Sequence, residues 1–186
     1  MANLKSNPSK SALGFLTVVD HPQHGLCGGY LVLNERGRPL EFHCTSPIKP
    51  NRAQQILYGQ TLEPFLYGEQ IGQTLVAKAK AETLVVCTDL VPALAVRLHI
   101  QTPVALVIAS QPIEESTSAL PLLPLLPLIR FRAGCNELAV LEENKQDRDV
   151  ILERINDLVQ SFDLAEPFQR IREAIEEAQK SVRQCA

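Results

Sequence analysis

His21, His24 and Cys27 stand at regular three-residue steps in "HPQHGLC", and "FHC" adds His43 and Cys44 one short hairpin later. Imidazole nitrogens and thiolates are the usual ligands of Zn²⁺. The spacing lets His21, His24 and Cys27 bend round one ion, with His43 as a fourth ligand. Strand alternation sends His43 and Cys44 to opposite faces, so both cannot easily serve one ion. Cys44 shares its face with Phe42 and is the weaker candidate. No established zinc spacing is matched, and solvated loop histidines account for the same residues. Cys27 also sits among glycines with histidines near it, a setting in which a thiol can act as a nucleophile. No elbow or triad pattern surrounds it. "GLCGG" has neither the Lys-Ser/Thr ending of a phosphate loop nor the GxGxxG spacing.

A second candidate site is the junction "TSPIKPNR". Thr45 and Ser46 end a predicted strand, and Lys49 and Arg52 flank a predicted helix start. Helix N-termini offer unpaired N–H groups and a positive dipole end. With two hydroxyls and two cations the junction suits a phosphate or carboxylate. Asp89, at the carboxyl end of a predicted parallel strand, occupies the place where α/β proteins bind ligands. Ordinary capping explains the junction equally, and Asp89 or Thr88 would cap the next helix.

"ILYGQTLEPFLYGEQIGQTL" carries Leu-Tyr-Gly twice, at 57–59 and 66–68. Tyr58 and Tyr67 are expected either to line one pocket, being apolar at one end and wet at the other, or to straddle the core boundary beside glycines that punctuate helices. Gly59 suits a helix end. At Gly68 the apolar phase slips, because Ile71 falls about 140° from Leu66 at ~100° per residue.

The elements that would position these groups follow from pattern. "LGFLTVV" reads as a buried strand and "HPQHGLCGG" as a loop. "YLVLN" and "PLEFHCT" form a hairpin around Gly37, with Leu40, Phe42 and Cys44 on the apolar face. "ETLVVCTD", a short helix over "LVPALAVRLHI", and "TPVALVIAS" make a strand–helix–strand unit with two parallel strands. "LIRFR" and "ELAVL" flank a further hairpin turn. "PLLPLLPL" places Pro121, Pro124 and Pro127 at the polyproline threefold period, and an extended crossing over the core is preferred to an exposed ligand motif. Val150, Ile151, Ile155, Leu158, Val159 and Phe162 form one stripe; Phe168, Ile171, Ile175 and Val182 form another. The fold class is therefore α/β. A mixed sheet combines an antiparallel meander with a parallel strand–helix–strand unit, and a C-terminal helical hairpin follows. Residues 1–12 read as a flexible tail, 13–141 as the α/β domain and 142–186 as the hairpin.

Composition narrows the function. The chain has 186 residues, 45% hydrophobic and 21% charged, with a net charge of −3. No global basic field exists to neutralise phosphates, and aromatics at 5% without Trp give no base-stacking platform, so nucleic acid is disfavoured. The five cysteines are an odd number without CxxC pairs, as expected of reduced thiols in the cytoplasm. No signal peptide or membrane span is read. The expectation is a small non-catalytic module acting through a protein partner or as a homodimer, using the C-terminal hairpin. The alternatives are an enzyme or sensor with an anionic ligand at 45–52, and a zinc site within 21–43. No motif names a cofactor.

Overall fold

The hydrophobic run at the start of the domain forms the longest strand, β1 (Ala12–His21), in the computed structural model, which describes residues 12–108, 127–160 and 162–184, the last four by backbone alone. The expected tail up to residue 11, the Leu/Pro run with Pro121 and Pro124, and the side chain of Val182 lie outside the described residues.

β1 pairs antiparallel with β2 (Gly25–Leu33), which pairs antiparallel with β3 (Pro39–Cys44). On its other side β1 runs parallel to β4 (Thr83–Thr88), and β4 runs parallel to β5 (Val104–Ile108). The hairpin β6 (Leu128–Ala133) and β7 (Asn136–Leu141) joins through an antiparallel β5–β7 ladder. The seven strands lie in the order β3-β2-β1-β4-β5-β7-β6. The mixed α/β sheet expected from pattern is therefore present, meander and parallel unit included.

Period-two alternation divides the core. Leu13, Phe15, Val85, Cys87 and Leu138 face one side. There they meet α4 (Gln146–Ile155) through Ile151 and Ile155, and α5 (Glu166–Gln184) through Phe168, Ile171 and Ile175. Phe15 and Phe168 meet edge to face with ring centroids 5.7 Å apart. Leu16, Tyr30, Val32 and Val86 face the other side. That side is covered by α2 (Leu62–Pro64), a π-helical segment (Phe65–Gln73), α3 (Thr74–Lys78) and a 3-10 helix (Val91–Leu98). Burying a large aliphatic or aromatic side chain is worth about 1.5–3 kcal/mol, so these two layers hold the sheet.

"GLCGG" is not a loop. Leu26–Gly29 belong to β2, and the glycines serve close approach. A Cβ on Gly28 would collide with Ile71, and one on Gly29 with Ile171. One glycine on each face admits a helix against the same strand. The alternation expected in β3 holds, and the apolar face it makes is exposed at Leu40, Phe42 and Cys44. β3 is an edge strand, and α5 lies across β1 and β2 instead. Glu41, on the opposite side, accepts hydrogen bonds from the N–H groups of Lys80 and Ala81 beyond α3 (3.0 and 2.7 Å).

Among the described residues the apolar stripes of the C-terminal hairpin are turned onto the sheet. Ile151, Ile155, Val159, Leu164, Phe168, Ile171 and Ile175 are all buried on the sheet. A homodimer or partner contact through those stripes is thus corrected: the sheet of the same chain takes them. Asn136 fixes the turn between α4 and α5. Its side chain accepts from Leu164 N–H (2.9 Å) and donates to the Phe162 carbonyl (2.8 Å). No helix among the described residues is long and apolar enough to cross a membrane.

Candidate functional site

A cavity of about 370 Å³ opens where the start of β2 and the end of β3 pass beside the last turns of α5. Its floor is Cys27 and Ile175, both buried. Thr45, Gln179 and His24 form the walls; Cys44, Ser46, Pro47 and Ala178 form an exposed rim. The strand and helix pattern explains the mix. Residues 27 and 29 of β2 face α5 because residues 28 and 30 face the π-helical side. Gln179 stands one turn beyond Ile175, on the same side of α5.

The polar groups are arranged for donation. Thr45 Oγ1 accepts the Gly28 N–H (2.9 Å), which leaves the hydroxyl proton available. The Cys27 thiol donates to the Thr45 carbonyl (3.1 Å). Burial pushes the Cys27 thiol pKa up, while Gln179 and Thr45 beside it act to lower it. Gln179 Nε2 is buried and has no hydrogen-bond partner of normal geometry among the described residues; the group beside it is the Cys27 thiol, whose ionised form it would stabilise. Among the described residues no Lys, Arg, Asp or Glu lines the cavity, and His24 is its one imidazole. A second hollow of about 390 Å³, lined by Tyr30, Lys80, Glu82, Thr83 and Thr102, is the more polar of the two, and there the Tyr30 hydroxyl already meets Thr83 Oγ1 (3.4 Å).

The metal candidates separate. His21 and His24 stack, ring centroids 4.6 Å apart, at the β1–β2 turn. Cys27 faces the α5 side, whereas His43 lies on the other face and bonds Glu41 (2.9 Å). Among the described residues no group of three or more His, Cys, Asp or Glu could hold a metal ion. Alternation correctly parted His43 from Cys44, but the thiol that shares a face with Cys27 is Cys44.

The anion candidates are occupied or dispersed. α1 (Arg52–Tyr58) is capped by Asn51, whose side chain accepts from Gln54 N–H (2.8 Å) while Gln54 returns a bond to Asn51 N–H (3.0 Å). Lys49 Nζ donates to the Gln23 carbonyl, and Arg52 contacts Gln55 (3.4 Å). Asp89 caps nothing. It pairs with Arg172 of α5 just past the end of β4, and β1 and β2 intervene between β4 and β3. Its other oxygen is buried without a partner among the described residues, as is Thr17 Oγ1. Of this set the cavity gathers Thr45 and Ser46 only. Tyr58 stacks on Phe65 (4.4 Å). Tyr67 packs against the π-side core, where burial, then Glu63 and Asp20, push its pKa up to about 12. Neither tyrosine lines the cavity.

Sequence reasoning missed Gln179 and Arg172. Both sit on the charged helix, where nothing in the local pattern separates a pocket-facing Gln or Arg from its solvated neighbours.

No family model and no curated protein matches the chain. A solved structure, Ciona intestinalis Endonuclease V in complex with a 23mer DNA containing an inosine followed by a ribo-adenosine, matches with a TM-score of 0.39 and 11% identity over 70% of each chain. That neighbour is a nuclease on DNA, so the expectations of a non-catalytic module and of nucleic acid as a disfavoured partner are withdrawn. The likeness is too slight to give this chain that activity or that partner.

Proposed function

We propose that this chain is a small-molecule-binding α/β domain. Its cavity beside α5 takes a neutral, mainly apolar molecule that carries a hydrogen-bond acceptor such as a carbonyl. The observation that carries the reading is the Gln179 amide, buried at the cavity wall with only the weakly accepting Cys27 thiol beside it and no hydrogen bond of normal geometry to Nε2 among the described residues. A buried donor without a partner costs about 1–3 kcal/mol, which an acceptor on the ligand would recover. The volume lies within the range of ligand sites, roughly 300–1,000 Å³. A charged ligand is disfavoured, because among the described residues the lining offers no carboxylate, ammonium or guanidinium to offset its desolvation. A cytoplasmic setting goes with the reading, since Cys27, Cys44, Cys87 and Cys135 are free thiols.

The test is thermal unfolding with cyclohexanone and, separately, inorganic phosphate at matched ionic strength. Binding to the native state raises the melting temperature. The ketone should raise it and phosphate should not. Ala178→Trp, at an exposed rim position, should plug the cavity and abolish the ketone response. A phosphate response, or a ketone response that survives the plug, would refute the reading.

A further inference from the structure

Two thiols share the cavity, and their placement suits chemistry that ligand binding does not require. Cys44 stands opposite Gly29 in the β2–β3 ladder, and Cys27 lies two residues before Gly29 on the same strand. Both cysteines line the cavity. They are therefore diagonal neighbours on one sheet face, Cα atoms roughly 7–8 Å apart. Cys44 is exposed and Cys27 is buried.

We propose that Cys44 and Cys27 form a reactive dithiol that undergoes exchange with low-molecular-weight disulfides, Cys44 as the attacking thiol and Cys27 as the resolving one. Ionised Cys44 attacks one sulfur of the reagent. The reagent's S–S bond breaks, a mixed disulfide forms on Cys44, and the departing thiolate takes a proton from water. Cys27 then loses its proton to solvent through the cavity mouth and attacks Cys44 Sγ. The second reagent thiolate leaves and is protonated. Two protein thiols are oxidised to one disulfide, and one reagent disulfide is reduced to two thiols.

The division of labour follows from access. Exchange needs an accessible thiolate, and only Cys44 meets solvent directly. Cys27 is held with its proton on the Thr45 carbonyl and its pKa raised by burial, so it reacts second, when its target is already attached beside it. Closing the bond needs Cα atoms within about 6.8 Å, so the end of β3 must move in by ~1 Å. Thr45 N–H holds the strand end to the Gly28 carbonyl (3.0 Å), so the movement falls on the edge position of Cys44 itself and on the surplus residue that follows it. β3 is an edge strand. Between the Gly29–Cys44 pair and the Leu26–Ile48 bridge, three steps on β2 face four on the other strand, leaving one surplus residue in Thr45–Pro47.

The test uses 2-hydroxyethyl disulfide, a small neutral reagent, on the full-length chain with Cys135→Ser and Cys185→Ser to remove two competing thiols. Samples quenched with iodoacetamide are read by intact mass and peptide mapping. The expected course is a transient hydroxyethylthio adduct on Cys44, then a product lighter than the starting chain by two hydrogens, with Cys27 joined to Cys44. Cys27→Ser should stop at the adduct, and Cys44→Ser should leave Cys27 unmodified. If Cys27→Ser fails to fold, the quench series on the parent chain decides alone. An adduct on Cys44 that never resolves overturns the proposal, as does a Cys44→Ser chain whose Cys27 reacts at the parent rate. The chemistry needs no bound ligand, so failure of the ketone response would leave it standing.

Discussion

Leu66 and Ile71 lie five residues apart within one helical segment, and both are fully buried in the same cluster of side chains. An α-helix would separate them by about 140°. The π-helical turn of Phe65–Gln73, with its i→i+5 period, brings them onto one face. Gly68 sits inside that turn, and an added Cβ would lie 2.7 Å from Ala95. Gly68→Ala should therefore destabilise by about 1–3 kcal/mol through overpacking. Gly59 is the contrast. It has open space around it but a φ of 51°, so Gly59→Ala should cost about 1 kcal/mol through backbone conformation alone. Urea unfolding of both variants checks this. A stabilised Gly68→Ala would mean that the turn relaxes to a regular α-helix.

This helix shows what the sequence makes legible. The slip at Gly68 is visible in the apolar phase, because periodicity reports local geometry directly. Gly28 and Gly29 misled, because their cause lies in helices that arrive with Ile71 and Ile171, far away in the chain. The same limit applies to the site. Thr45, Ser46 and Cys27 were legible as reactive types near one another, but their convergence with Gln179 depends on α5 crossing β2. The apolar face of β3 was read correctly as a face, but that it stays exposed was not legible, since sheet order and helix placement are not local properties.

Arg97 and Asp147 form the most buried ion pair described, with Nε–Oδ2 at 2.6 Å and Nη2–Oδ1 at 3.2 Å. Arg97 also donates to the Ile100 carbonyl (2.8 Å). The pair ties α4 to the 3-10 helix. Arg97→Ala leaves a carboxylate only 2% exposed without its partner, and should cost about 3–5 kcal/mol in chemical denaturation. Asp147→Asn/Arg97→Gln should recover part of that loss. A neutral Arg97→Ala would show that water reaches Asp147.

The C-terminal hairpin should prove essential to folding. Chains ending after Leu141 expose the face that Ile151, Ile155, Phe168, Ile171 and Ile175 cover, and should bind a hydrophobic dye while losing near-ultraviolet dichroism. In the full chain, Ile171→Ala should cost about 2–5 kcal/mol. A truncated chain that unfolds cooperatively with native-like dichroism would contradict docking on the sheet.

Glu63 should give stability an acid-side dependence. Burial, then the nearby Asp20, push its carboxyl pKa above the ordinary value. In the window between the two values the native state binds more protons than the unfolded one. Stability from this group is thus full below the ordinary carboxylate range and is lost as pH rises through the folded value. Glu63→Gln should match the parent at acid pH and exceed it at neutral pH. Equal stability at neutral pH would show that Glu63 ionises at no cost.

The central claim is that the cavity beside α5 binds a neutral acceptor through Gln179. The most direct measurement is the side-chain amide of Gln179 in a ¹⁵N–¹H correlation spectrum, assigned by its loss in Gln179→Leu and followed during titration with cyclohexanone. The account predicts a saturable downfield shift of that amide pair, together with movement of the Gly28 and Thr45 backbone signals, and neither change in Ala178→Trp. A Gln179 amide that stays fixed while the ketone saturates the protein elsewhere would contradict it.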